Sequence, residues 1–195
     1  MSLLLSMAAF ALASSITPGP VNIVALSAGA QFGMRPAMRH VSGATVGFTL
    51  LLLLIGLGLK ELLERWPWLT TAIKLAGVAF LLYMAFRLAA DDGRLDTDKP
   101  ALPPTWFRGA AMQWLNPKAW LASVAGMGLF AASGDVVSVG VFAANYFVIC
   151  YASLACWAYA GTCLQRYLRE PARLRLFNRM MAALLAGSAF YLLTT

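Results

Sequence analysis

The chain is 195 residues long, 61% hydrophobic and 12% charged, with a formal net charge of +7; an average soluble domain carries about 25% charged residues. Mean hydropathy is +0.72, and residues 1–34, 41–59 and 136–165 hold no Asp, Glu, Lys or Arg. A helix on a soluble core needs a polar face within such a window, so the composition excludes a soluble globular enzyme, a disordered chain and a disulfide-stapled secreted module.

A helix that crosses about 30 Å of hydrocarbon needs about 20 apolar residues. Runs of suitable length and character lie at roughly 3–31, 40–59, 67–88, 109–131, 136–164 and 176–194. They predict an all-α polytopic membrane protein of six transmembrane helices with short loops. The apolar N-terminus lacks a basic n-region, so it reads as a retained first span rather than a signal peptide.

The first run is interrupted by Ser14-Ser15-Ile16-Thr17-Pro18-Gly19-Pro20-Val21-Asn22. Proline has no N–H and its ring clashes with the preceding turn. Residues before proline are also pushed out of the α region. Pro18 and Pro20 around Gly19 therefore leave several backbone groups without helical partners. In hydrocarbon such a break survives only against protein or a wet cavity. Ser15, Thr17 and Asn22 are the side chains available to repair it or to touch a solute.

The second run follows Arg35 and Arg39 and opens on His40, either an interfacial histidine or a proton carrier, since it titrates in the useful range. Gly43/Gly47 within it, Ala122/Gly126 in the fourth run and Ala183/Gly187 in the sixth are small-residue pairs that let membrane helices approach closely. The third run contains Lys74, about seven residues in and within snorkelling reach of the headgroups. Segment 89–108 is the one sizeable polar stretch. Its Asp91, Asp92, Asp96 and Asp98 lack the rest of a calcium loop, and Pro100, Pro103 and Pro104 stiffen its exit. It reads as a solvated linker.

The fourth run carries a matching interruption, Gln113-Trp114-Leu115-Asn116-Pro117-Lys118-Ala119-Trp120. An ionisable residue inside a span is a functional candidate by default. Lys118 has three readings: a partner for a substrate carboxylate, a partner for carbonyls freed by a break, or a snorkelling cation. Asp135, in the following short turn, reads as a helix cap or turn residue. In the fifth run Asn145 bonds either a break or solute, or simply another helix. Cys150, Cys156 and Cys163 share that run without a C-x-x-C and read as packing residues.

Lys and Arg count gives the orientation. Eleven of the basic residues fall in the first, third and fifth gaps, against two, Lys60 and Arg65, in the second and none in the fourth. That places the first, third and fifth gaps in the cytoplasm and both termini outside. The basic residues sit in short gaps rather than on one face or tail, which argues against nucleic acid as a partner. The two breaks lie in the first run of each three-run half, and three is odd, so the halves enter from opposite sides. The expected organisation is a single transmembrane domain over 1–195, with inverted repeats 1–88 and 109–195 joined by a cytoplasmic linker, 89–108. Paired broken helices in such repeats mark a transporter's site near the midplane. Half-helix N-termini near Pro20 and Pro117 suit a carboxylate. Asn22, Gln113 and Asn145 join the breaks as candidate substrate contacts. With no acidic residue placed in a span, a substrate ammonium would meet carbonyls, hydroxyls, amides, or the faces of Trp114, Trp120 and Tyr146.

T-P-G-P at residues 17–20 and N-P-K-A at 116–119 resemble the lysine/homoserine-threonine exporter family (LysE/RhtB). The likeness extends to Gly43/Gly47, to Lys74-Leu75-Ala76-Gly77 with Leu81-Leu82-Tyr83, and to the polar central loop. It implies an exporter of amino acids or related small metabolites in the bacterial cytoplasmic (inner) membrane, with six helices per subunit. It further implies a homodimer driven by an ion gradient, the proton gradient being the expected one. It carries Thr17, Pro18, Gly19, Pro20, Asn116, Pro117 and Lys118 over as site residues. The direction of transport rests on the resemblance alone.

The expectation is thus a secondary active exporter working by alternating access around the paired breaks. It is not an enzyme, takes no cofactor or metal, and has a small molecule and the lipid bilayer as partners. A zinc protease needs several His and acidic ligands, and a serine hydrolase of the G-x-S-x-G type has no motif here. The alternatives are a thiol-redox electron conduit, which needs cysteines on different spans able to pair, and a metal-ion or lipid carrier on a related scaffold.

Overall fold

The computed structural model describes residues 3–59, 65–90, 104–164 and 167–194, which are helical almost throughout. In chain order the helices are α1 (Leu3–Ile16), α2 (Pro20–Phe32), α3 (Met34–Leu54, extended by a π-helical turn over Ile55–Leu59), α4 (Pro67–Ala89), α5 (Trp106–Trp114), α6 (Pro117–Phe130), α7 (Val136–Leu164) and α8 (Pro171–Thr194). The helix starts are written in the sequence. Pro20, Pro67, Pro117 and Pro171 each occupy a first helical position, where the missing N–H would lack a helical partner anyway. Thr105 caps α5 by accepting from the Arg108 N–H at 3.2 Å. Asp135 caps α7 by accepting from Val137 N–H at 3.2 Å and Ser138 N–H at 2.9 Å, so it is a helix cap as expected.

Met34–Gly58 and Val136–Leu164 are long and apolar enough to cross a membrane, and α1 with α2, bent by 63° at the proline break, makes a third candidate. Large apolar side chains point outward all round the bundle, among them Leu75, Phe86, Phe107, Leu121, Val136 and Phe190. A soluble monomer seldom exposes so much contiguous apolar surface; lipid accommodates it. The chain is a helical membrane protein.

One boundary differs from expectation. The first predicted gap is a one-residue turn at Gly33, whose φ of 79° favours glycine. α3 begins at Met34, with Arg35, Pro36 and Arg39 already helical. Pro36 is tolerated because N–H groups of a first turn have no intrahelical acceptor. The polar linker falls largely on 91–103, outside the described residues, as do Lys60, Arg166 and the side chain of Lys74.

Two crossings organise the packing: α3 lies against α5, and α2 against α7. In each, a glycine on one helix faces backbone on the other, reciprocally. A Cβ on Gly43 would collide with the Trp106 carbonyl, and one on Gly109 with the His40 carbonyl. Likewise Gly29 abuts the Ala158 carbonyl, and Gly161 the Leu26 carbonyl. Backbone contact this close is how membrane helices associate without a hydrophobic drive. The expectation for Gly43/Gly47 holds, since Gly47 faces the Ala110 backbone. Ala183/Gly187 differs: Gly187 has nothing within 4 Å of its Cβ position, because that side of α8 turns away from the bundle. α4 and α8 pack on each other, and Gln31 of α2 reaches Asn178 of α8 at 3.1 Å.

Candidate functional site

α1 ends at Ile16 and α2 starts at Pro20; the Gly19 carbonyl accepts from the Ile23 N–H of α2 at 3.0 Å, but those from Ser15 to Pro18 have no helical donor. Side chains from three other helices supply them. Asn22 Nδ2 of α2 donates to the Ser15 carbonyl at 2.7 Å, and Trp157 Nε1 of α7 to the Ile16 carbonyl at 3.1 Å. Lys118 Nζ of α6 donates to the Thr17 carbonyl at 2.6 Å and reaches the Pro18 carbonyl at 3.5 Å. At the end of α1, the hydroxyls of Ser15 and of Thr17 just beyond it bond back to the Ala11 and Ala13 carbonyls. Each carbonyl from Ser15 to Pro18 therefore has a donor, which is what a break in a low-dielectric setting requires.

The second break is repaired similarly. Asn116 Oδ1 accepts from the Lys118 N–H at 3.2 Å, capping α6. Trp120 Nε1 donates to the Trp114 carbonyl at 2.7 Å, and Trp114 Nε1 to the Gly47 carbonyl at 3.1 Å. The two interruptions, about a hundred residues apart, are in direct contact: Lys118 of one holds the backbone of the other. Its aliphatic stem also covers Gly19, where a Cβ would lie 3.2 Å from Lys118 Cδ.

Between the breaks lies a cavity of about 30 Å³, enough for roughly two waters. Ser14, Ser15, Asn22, Gln113, Asn116 and Lys118 form its polar wall, and Tyr146, Phe48 and Cys150 face them. Among these lining residues there is one cation and no acid. Val21 and Asn22 bring the first turn of α2 to the wall, and no side chain caps that helix. The positive end of the α2 dipole and the Lys118 ammonium thus share one small space with no anion to balance them.

From Tyr146 and Phe48 of the wall a cluster of rings extends into the bundle. Phe48 and Tyr146 centroids are 4.5 Å apart, Tyr146 and Phe142 5.8 Å, and Phe142 and Phe130 5.1 Å, with Phe10 packed alongside. Of these rings, Phe48 and Tyr146 line the cavity itself.

Of the residues singled out in the sequence, Asn22, Gln113, Asn116 and Lys118 line the cavity. Thr17 and Pro18 contribute carbonyls to Lys118, Gly19 makes room for it, and Pro20 and Pro117 begin the two half-helices. Asn145 is not in the wall; it sits beside Tyr146 on α7, its Oδ1 buried without a partner. Sequence reasoning left Ser14, Phe48 and Cys150 out of the wall. Cys150 in particular read as packing, and only the crossing of α7 over the breaks brings it there. All three cysteines are free and lie on α7, so none is opposite another as thiol relay would need.

The family model described as LysE type translocator matches residues 12–195. The cysteine/O-acetylserine efflux protein of Escherichia coli (strain K12) is 30% identical over 185 residues, covering 92% of each chain. Its counterpart from Klebsiella pneumoniae is 28% identical over 183 residues, covering 92% of this chain and 91% of that one. No solved structure matches significantly.

Proposed function

We propose that this chain, which belongs to the LysE type translocator family, is a secondary active exporter of small amino acids, working by alternating access around the two touching breaks. Family and relatives are translocators and efflux proteins; the substrate range, coupling and mechanism are our reading. The observation that carries it is the unbalanced positive charge between the breaks, from Lys118 and the uncapped start of α2, in a cavity without an acid. A carboxylate is the anion that fits both a lysine and a helix N-terminus. The substrate ammonium would meet the hydroxyls of Ser14 and Ser15, the amide oxygens of Asn22 and Gln113, and the face of Tyr146.

In this reading the full architecture is six spans in two inverted repeats, 1–88 and 109–195, with the 89–108 linker and the basic ends of the helices in the cytoplasm and both termini outside. The broken helices α1–α2 and α5–α6 are the equivalent first spans. The membrane is the bacterial cytoplasmic membrane, the working unit a homodimer, and the driving force an ion gradient, the proton gradient first. The names of the relatives point to cysteine and O-acetylserine as the first solutes to try. At about 30 Å³ the cavity is contracted, and the aromatic cluster must part before a solute leaves on that side.

The test is reconstitution into liposomes with a panel of labelled amino acids, O-acetyl-L-serine and cysteine among them, scored for counterflow with and without a pH gradient. Saturable counterflow that Lys118→Gln abolishes is the expected result. Flux through the wild-type protein no faster than through empty liposomes, for every solute in the panel, overturns the proposal.

A further inference from the structure

A larger cavity, of about 120 Å³, opens between α2, α3, α4 and α5 at the basic end of the bundle. Its rim carries Arg87 and Arg108, and among the described residues that line it there is no acid. Arg87 is braced by its bond to the Tyr83 hydroxyl at 3.2 Å. Two guanidiniums on one rim, facing no carboxylate among the described residues, are the groups that take a carboxylate in planar geometry.

The floor has the complementary chemistry. Ser27 and His40 line it, and both Ser27 Oγ and His40 Nε2 are buried without a partner. Both side chains are more than nine-tenths buried. The His40 ring bonds the Val21 carbonyl; since Nε2 is the unpartnered nitrogen, Nδ1 makes that bond. A neutral ring donating from Nδ1 presents a lone pair at Nε2. Buried, unpartnered polar atoms each cost free energy, and an ammonium group is a donor that either can accept from.

The two cavities are consecutive. Val21 and Asn22 line the one at the breaks, while Val24 and Ser27 line this one; the step from Asn22 to Ser27 spans about 7.5 Å along α2. On α5, Gln113 faces the first cavity and Met112 the second. His40, tied to Val21, stands in the partition.

We propose that this second cavity is a binding site for an α-amino acid zwitterion, the carboxylate on Arg87 and Arg108 and the ammonium on His40 Nε2 and Ser27 Oγ, from which the solute passes to the breaks. It rests on the exporter reading for its role as a first station, though the binding itself does not. The recognised unit is the free amino acid with both charged groups intact.

The experiment introduces Met84→Cys, on the cavity wall, into a protein whose three native cysteines are replaced. It measures labelling rates with anionic and cationic methanethiosulfonates in nanodiscs. The anionic reagent is expected to react about tenfold faster than the cationic one, as a cationic cleft concentrates anions. Arg87→Gln with Arg108→Gln removes the preference, and Arg87→Lys with Arg108→Lys retains it, which guards against mere misfolding. O-acetyl-L-serine slows labelling, its methyl ester and its N-acetyl derivative do not, and His40→Phe abolishes the protection while leaving the anion preference. Equal rates for the two reagents, or protection by the N-acetyl derivative as strong as by the zwitterion, overturn the proposal. Protection without efflux would refute export and leave the site standing; efflux without protection would do the reverse.

Discussion

The ammonium of Lys118 donates to the Thr17 carbonyl at 2.6 Å, so the cation following one proline break holds the backbone opened by the other. The contact makes Lys118 a structural donor, and on the exporter reading it is also the positive charge offered to a solute. These two roles separate by substitution. Lys118→Gln keeps a donor and loses the charge; we expect counterflow to fall by at least about tenfold, or about 1.4 kcal/mol in barrier, with normal insertion and yield. Lys118→Arg keeps the charge and should retain part of the flux. Unchanged flux in the glutamine variant would remove Lys118 from the site.

Asn22 and Asn145 are the amides to compare. Asn22 Nδ2 satisfies the Ser15 carbonyl, whereas Asn145 Oδ1 is buried without a partner. Asn22→Ala leaves a buried carbonyl bare and should cost about 1–3 kcal/mol. Asn145→Ala removes an unsatisfied oxygen and should cost less. Melting of the purified protein in detergent checks the order, and equal losses would contradict the repair assigned to Asn22.

The glycine crossings give a steric prediction. Gly29→Val and Gly161→Val push Cβ atoms into facing carbonyls, where neither backbone can yield. Overpacking of an ordinary core costs about 1–3 kcal/mol, and these sites should exceed it, seen as loss of a monodisperse peak in size exclusion. Gly128→Ala and Gly140→Ala, with nothing within 4 Å, should elute as wild type.

Asp135 gives a pH signature. Bonds from Ser138 and Val137 hold its carboxyl below the usual carboxylate range. A depressed carboxylate stabilises the folded state above its ordinary pKa of about 4, and that contribution fades as pH falls through the folded value. Asp135→Ala should therefore melt below wild type near neutrality, with the difference closing under acid conditions. Asp135→Asn, a good cap in either range, should show no such pH dependence. A gap that stays constant with pH would contradict the carboxylate's role.

Replacing Cys150, Cys156 and Cys163 together should leave counterflow intact, because the three thiols lie on a single helix. Lost flux that returns with Cys150 alone would mark that thiol as a wall contact. A requirement for two of them would revive electron transfer by thiols.

The breaks were legible because proline removes a donor wherever it sits, and an apolar run has nothing else to explain Pro18, Pro20 and Pro117. Asp135 was legible for a related reason: an acid before an uncharged run has little to do but cap it. What could not be read was which distant side chain answers which carbonyl. Trp157 reaches Ile16 over a separation of 141 residues, and nothing local in either stretch marks the pair. The start of α3 is hidden in the sequence because charge there does not mark a helix edge: Arg35 and Arg39 are exposed on its first turns. His40 reads from the sequence as an interfacial histidine or a proton carrier and Ser27 carries no signal of its own, because their shared floor exists only once α2 and α3 lie side by side.

The single residue between α2 and α3 has a mechanical consequence. Gly33 donates to the Gly29 carbonyl and accepts from the Ala37 N–H, at 3.0 and 3.3 Å, so the two rods are coupled through one rigid elbow. Any swivelling of α2 about the Thr17–Gly19 gap would be transmitted to α3 as a lever transmits its throw, and His40 would be carried with it.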